Sequence, residues 1–122
     1  MLIENNKIHN MDCLYGMKFI LDKSIDMILC DLPYGILHLK WDKKLPVEQL
    51  WNEYNRIIKD NGAIVLTANM KFAVELISAN KKWFRYDLIW EKPLPVLNFN
   101  CYKWLKYRLF LNLMRGWLDR LY

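Results

Sequence analysis

With 122 residues, 54% of them apolar and 25% charged, the chain has the length of one domain at most and the composition of a globular protein, not a disordered one. No apolar run approaches the ~18–20 residues that a membrane-spanning helix needs, and residues 1–7 lack the apolar core of an export signal, so neither a membrane protein nor an exported one is expected. Three scattered cysteines (Cys13, Cys30 and Cys101) without a CxxC pair, and only two histidines (His9 and His38), argue against a disulfide framework or a metal cluster and suit a reducing cytoplasm.

The formal charge of +5 is unevenly placed: residues 1–98 hold 13 Lys/Arg against 12 Asp/Glu, whereas residues 99–122 hold five against one. A basic excess suits a polyanionic partner, because positive side chains displace counterions from phosphates. A solvated basic tail is the alternative on charge alone.

In chain order, residues 7–11 are predicted as a short strand or strand end. Asp12 suits the cap of a helix over 13–21, with Leu14, Met17 and Leu21 on one face. Residues 25–30 are apolar apart from Asp26, the pattern of a strand covered on both faces in a parallel sheet. Pro33 and Gly35 then enforce a loop. A helix begins at Pro46, carrying Leu50, Trp51, Tyr54, Ile57 and Ile58 at helical spacing, and Asn61-Gly62 supplies its stop, where glycine tolerates the left-handed conformation. Residues 63–68 read as a second buried strand, 71–79 as a helix and 86–90 as a third strand. Asn69 reads as a turn residue between them.

Strands alternating with helices imply an α/β fold: a mostly parallel sheet with helices on both faces. Ligands in such folds sit beyond the carboxyl ends of the strands, which singles out residues 31–35, 67–70 and 90–93. At the first of these stands Asp31-Leu32-Pro33-Tyr34. Methylating an exocyclic amine demands such a set. The amine lone pair is delocalised into the base, so both amino hydrogens must be held by acceptors while the lone pair turns toward the methyl donor. A carboxylate is one acceptor, and a carbonyl whose direction the following proline fixes is another. A base taken out of the duplex also needs a ring to stack on. Each residue alone has a plainer reading: Asp31 as a turn cap, Asp12 as a helix cap, and Trp41, Trp51 and Trp90 as packing.

The stretch Asp31-Leu32-Pro33-Tyr34 resembles the Asp-Pro-Pro-Tyr motif of DNA N6-adenine and N4-cytosine methyltransferases, with Leu32 in place of the first proline. That change keeps the carbonyl and is expected to loosen the loop. Asn10-Met11-Asp12-Cys13-Leu14 followed by Ser24-Ile25-Asp26-Met27-Ile28 is similar to the family's lead-in, with Met11 for the usual glycine. Lys40-Trp41-Asp42, residues 51–68 and Leu88-Ile89-Trp90-Glu91-Lys92 resemble blocks of permuted, phage-type members, in which the catalytic motif comes first. The likeness covers about residues 7–95 and holds in order and spacing. It implies an incomplete Rossmann-like methyltransferase sheet, double-stranded DNA as partner, and S-adenosylmethionine as cofactor. Asp31, Leu32, Pro33 and Tyr34 are then catalytic, Asp12 and Cys13 lie on the cofactor side, and Trp41, Trp90 and Lys92 wall the target-base pocket or touch DNA. The family's aspartate form goes with adenine more often than with cytosine.

The family binds its cofactor with a glycine-rich Phe-x-Gly-x-Gly turn. Gly16, Gly35, Gly62 and Gly116 are too far apart to form one. In a permuted member that turn comes late, so the expectation is a partial catalytic domain over residues 1–97. Residues 98–122 form a basic aromatic tail, read either as an amphipathic helix with Leu105, Leu109, Leu113 and Trp117 on one face or as out-of-frame translation. Two alternatives to a truncated enzyme stay open, a DNA-binding remnant without catalysis and half of a split enzyme completed by a second polypeptide.

Overall fold

A computed structural model describes residues 3–37, 39–91 and 108–114. Asp12 starts the first helix, α1 (Cys13–Met17), by accepting the Tyr15 amide at 2.9 Å. The helix ends sooner than its apolar spacing predicts. Arg56, reaching across from the next helix, takes the carbonyls of Met17 (2.7 Å) and Ile20 (2.8 Å) while pairing with Asp22 and Glu53. The amides of Lys18, Phe19 and Ile20 bond three residues back, to Tyr15, Gly16 and Met17, so the chain closes in tight turns there and does not continue the helix. The strand predicted over 7–11 is not formed; that stretch is irregular.

Strand β1 (Ile25–Asp31) follows, then α2 (Val47–Ile57), β2 (Ile58–Ala68), α3 (Met70–Ala79), a single 3-10 turn (Lys81–Trp83), β3 (Phe84–Glu91) and β4 (Arg108–Met114). α2 buries Leu50, Trp51, Tyr54 and Ile57, the stripe its spacing predicts. It stops at Ile57, and Ile58 is already extended (φ −73°, ψ 137°). Gly62 is therefore no helix cap. Ile25 pairs with Ile58 but Met27 with Ala63, so two steps along β1 correspond to five along β2. Gly62 sits in that irregularity, where a Cβ would lie 2.6 Å from Ile58 Cγ1 and 3.0 Å from the Asp26 carbonyl. Close approach of the chain, not a left-handed backbone, is what requires glycine there. Asn69 proves to be the cap of α3, its side chain accepting the Phe72 amide at 2.9 Å.

The sheet order is β1-β2-β4-β3, with β1 and β2 parallel and β4 antiparallel to both its neighbours. β1, β2 and β3 consequently run the same way, as the alternating pattern predicts. The helix drawn through Leu109 and Leu113 is not formed: both residues belong to β4, which pairs along both edges. Filling the gap between β2 and β3 satisfies two strand edges at once, and that outweighs any local helical spacing. Leu105 and Trp117 lie outside the described residues.

The crossovers from β1 to β2 and from β2 to β3 advance in one direction across the sheet. Taken with the usual right hand, they set α2 and α3 on the same face. The core agrees: Ile64, Leu66 and Ala68 of β2 pack with Leu50, Tyr54, Phe72, Leu76 and Trp83. On the alternate positions of β1, Met27 and Leu29 are 54% and 68% exposed. Of the two helical layers expected, one is present among the described residues. No helix among them is long and apolar enough to cross a membrane.

Candidate active site

Parallel register sets Asp31, the last residue of β1, beside Thr67 near the end of β2. The Thr67 hydroxyl meets Asp31 Oδ1 in a short contact, and the Tyr34 hydroxyl lies 2.9 Å from Thr67 Oγ1 and 3.0 Å from Asp31 Oδ1. Each hydroxyl carries one proton. A chain in which Tyr34 donates to Thr67 and Thr67 donates to Asp31 satisfies all three groups. That chain ends on Oδ1, so Oδ2 of the exposed Asp31 is left for a ligand.

Leu32 is 4% exposed and belongs to the core. The loop is thus anchored by burial where the resembled motif uses a proline ring, and it is not the looser loop that the substitution suggests. Tyr34 is half-buried, its ring centroid 5.7 Å from that of Phe72 at 43°. Burial pushes its phenol up; the Thr67 hydrogen bond draws it down and Asp31 adds to the rise, so Tyr34 is a neutral donor at ordinary pH.

Beyond Tyr34 the chain turns at Gly35, where φ is +68° and a Cβ would meet Lys44 Cγ at 2.8 Å. Asp42, 6% exposed, closes this loop by accepting the amides of Gly35 (2.9 Å) and Leu37 (2.5 Å). Those amides, Leu37's first, hold its carboxyl below the usual carboxylate range against the opposing push of burial. A depressed folded value means that Asp42 contributes its full stabilisation above the unfolded value near ~3.9 and loses it as pH falls through the folded one. Acidification through that window should release the Gly35 and Leu37 amides in an NMR titration, and Asp42→Asn should abolish the transition.

The remaining expected residues are distributed as follows. Trp41 is exposed on the loop that Asp42 closes. Trp90 lies near the end of β3, opposite Leu109. β4 and β2 stand between it and β1, which at ~4.8 Å per strand puts Trp90 roughly 14 Å to the side of Asp31. Lys92 lies outside the described residues. Cys13 stands within electrostatic reach of Cys30, which brings the start of α1 beside the end of β1; burial, then Asp12 and Cys30, push its thiol up. A cleft of about 460 Å³ between α1 and α2 is lined in part by Asp12, Lys18, Asn52 and Glu53. Asp12 spends one oxygen on its helix cap, and no glycine lines the cleft. The described residues therefore do not make the close-backbone turn that S-adenosylmethionine is expected to need.

Thr67 and Asp42 are the two participants that residue types alone did not single out. Thr67 lay in a flagged strand end, but its partner is set by register; Asp42 lay in a resembled block without a role. Losing the Thr67 hydroxyl should cost ~10-fold or more in any activity that needs an oriented Asp31, in line with hydrogen bonds to charged groups. Thr67→Val should also shift the Tyr34 phenol titration, and Thr67→Ser should restore both readouts.

No family model matches the chain. It is 26% identical over 123 residues to the type II methyltransferase M2.MboI of Moraxella bovis, covering 80% of this chain and 45% of that one. It is 28% identical over 120 residues to the type II methyltransferase M.HinfI of Haemophilus influenzae, covering 77% of this chain and 33% of that one. These residues are homologous to type II methyltransferases. The crystal structure of an M1.HpyAVI–SAM complex superposes with a TM-score of 0.51 at 18% identity, over 76% of this chain and 44% of that chain. The likeness bears out a methyltransferase-type Rossmann-like fold, and the chain spans less than half the length of each of these relatives.

Proposed function

We propose that these residues form the target-base half of a site-specific DNA methyltransferase, which transfers a methyl group from S-adenosylmethionine to the exocyclic amine of a flipped base, adenine N6. The observation that carries the reading is the Asp31–Thr67–Tyr34 cluster at adjacent strand ends. In it Asp31 Oδ2 accepts one amino hydrogen, the Leu32 carbonyl accepts the other with its direction set by Pro33, and the Tyr34 ring stacks on the base. Thr67 keeps Asp31 from rotating. Trp41, Trp90 and Lys92 belong to the DNA side, Asp12 and Cys13 to the cofactor side.

The chain fits a permuted, phage-type member acting in the cytoplasm, and its cofactor turn is supplied by residues outside these 122 or by a second polypeptide. The relatives' greater length supports this reading. So does the uncovered sheet face with Met27, Leu29 and Leu88, which a second layer would bury. Residues 98–122 retain two readings, a functional basic segment or out-of-frame sequence; β4 favours the first over 108–114. Calorimetry with S-adenosylmethionine should give no measurable heat with the 122-residue chain and micromolar binding once the complementing half is added. Salt-dependent DNA binding that is lost on deleting residues 99–122, with no cofactor uptake even after complementation, would leave only a DNA-binding remnant.

A further inference from the structure

Tyr34 is fastened at both ends: its backbone follows the buried Leu32, and its hydroxyl bonds to Thr67. Two fixed points define an axis, and an aromatic ring still turns about it, because that torsion is broad. The rotation decides whether the ring offers a stacked base its face or its edge. Neither the backbone nor the hydroxyl sets it.

A side chain from the other end of the loop does. Phe72, 3% exposed, lies against the Tyr34 ring, and its own backbone is held where Asn69 accepts its amide. The Lys44 ammonium stands 5.8 Å from the Phe72 ring centroid, within cation–π range. The stem of the same lysine covers Gly35, the residue after Tyr34, where a Cβ would come within 2.8 Å of Lys44 Cγ. Lys44 thus lies against the chain neighbour of Tyr34 with its stem and over the ring neighbour of Tyr34 with its head.

Glu75 fixes Lys44 in that place, 2.5 Å from its ammonium and three residues beyond Phe72, on the same face of α3. Among the described residues, no other hydrogen bond or ion pair joins residues 35–44 to another element. The two side chains are 47% and 43% exposed, and an ion pair so exposed adds little to stability. What it does supply is placement, since it confines a flexible four-carbon stem to one arrangement.

We infer that Lys44, fastened by Glu75, is a positioning residue that holds the Phe72 ring against Tyr34 and so sets the face Tyr34 presents to the target base. The ring geometry stands by itself; its use in stacking rests on the methyltransferase reading above.

The test pairs NMR on the whole 122-residue chain with kinetics on the complemented enzyme. Lys44→Met keeps a stem over Gly35 and removes the charge, whereas Lys44→Arg keeps both. Both should melt like the parent, because the position is exposed. With ring-13C tyrosine, and Tyr34 identified by the signal that Tyr34→Phe removes, the parent should show Tyr34–Phe72 ring contacts. Lys44→Met should lose those contacts and speed the flipping of the Tyr34 ring; Lys44→Arg should retain the parent pattern. Tyr34 signals that stay put in Lys44→Met, or that move as far in Lys44→Arg, would overturn the inference.

A stacked base is held alike in the ground and transition states, so Lys44→Met should raise KM for duplex DNA ~10-fold and leave kcat within ~2-fold. Glu75→Gln should raise KM as well, since it unfastens the lysine. A fall in KM there would mean that the freed ammonium binds a phosphate, and the positioning role would be lost. An Asp31→Ala arm keeps the two ideas apart. Methyl transfer surviving that change removes the methyltransferase reading but not the ring geometry; unmoved Tyr34 signals remove the positioning role but not the methyltransferase.

Discussion

Asp31→Ala should abolish methyl transfer in the complemented or full-length enzyme, a loss of at least ~10²–10³-fold, the size seen when one preorganised polar group is removed from a reacting centre. The expectation follows from geometry. Oδ1 accepts from the Thr67 hydroxyl, which in turn accepts from Tyr34, so the carboxylate is held in one orientation with Oδ2 left for the substrate. Alanine removes the acceptor and also leaves the Thr67 hydroxyl without its partner. Because Asp31 is exposed at a strand end, the fold should survive, with melting and duplex affinity close to the parent. A radiolabelled methyl assay decides the matter. Full activity in Asp31→Ala would sink the proposed mechanism, and a proportional loss of stability would point to a structural role instead. Asp31→Asn is a useful companion, since its amide keeps the shape but halves the acceptors.

The second large effect is on stability. Leu66 is completely buried (0% exposed), between α2 and α3 in the core and one residue before Thr67. Leu66→Ala should cost ~2–5 kcal/mol, combining lost transfer energy with the cavity left behind. A domain of this size has only ~5–15 kcal/mol in total, so the melting midpoint should fall by roughly 10 °C or more. The same change loosens the backbone that carries Thr67, so the Tyr34 phenol titration should broaden or shift well below the unfolding temperature. A melting point unchanged within a degree or two would mean that β2 is not the centre of the core.

Several features were legible from residue order alone. The stripe Leu50, Trp51, Tyr54, Ile57 identifies α2 because helical periodicity and burial point to one answer. The apolar runs of β1 and β2 are visible for the same reason, and so is their parallel arrangement, since a helix between strands leaves little other choice. Asp31 and Tyr34 announce themselves by chemistry, as a carboxylate and a ring on a rigid turn at a strand end. Elements decided by remote partners were not legible. α1 gives way to turns whose outward carbonyls are held by Arg56, 39 residues away in sequence from Met17. Gly62 reads as a helix stop but serves a bulge whose existence depends on β1. Leu109 and Leu113 repeat at helical spacing yet enter a strand, because two open sheet edges offer that segment more hydrogen bonds than a lone helix can.

The site divides the same way. Sequence by itself determined which groups can do chemistry, since residue type, strand-end position and the proline-held turn are local properties. The tertiary structure alone decided how those groups are held: register set Thr67 against Asp31, burial of Leu32 anchored the turn, the Asp42 carboxylate folded the following loop outward, and sheet order carried Trp90 away to the side. Local patterns specify an element's own periodicity, whereas register, capture by a distant side chain and strand order depend on contacts that no stretch of sequence contains by itself.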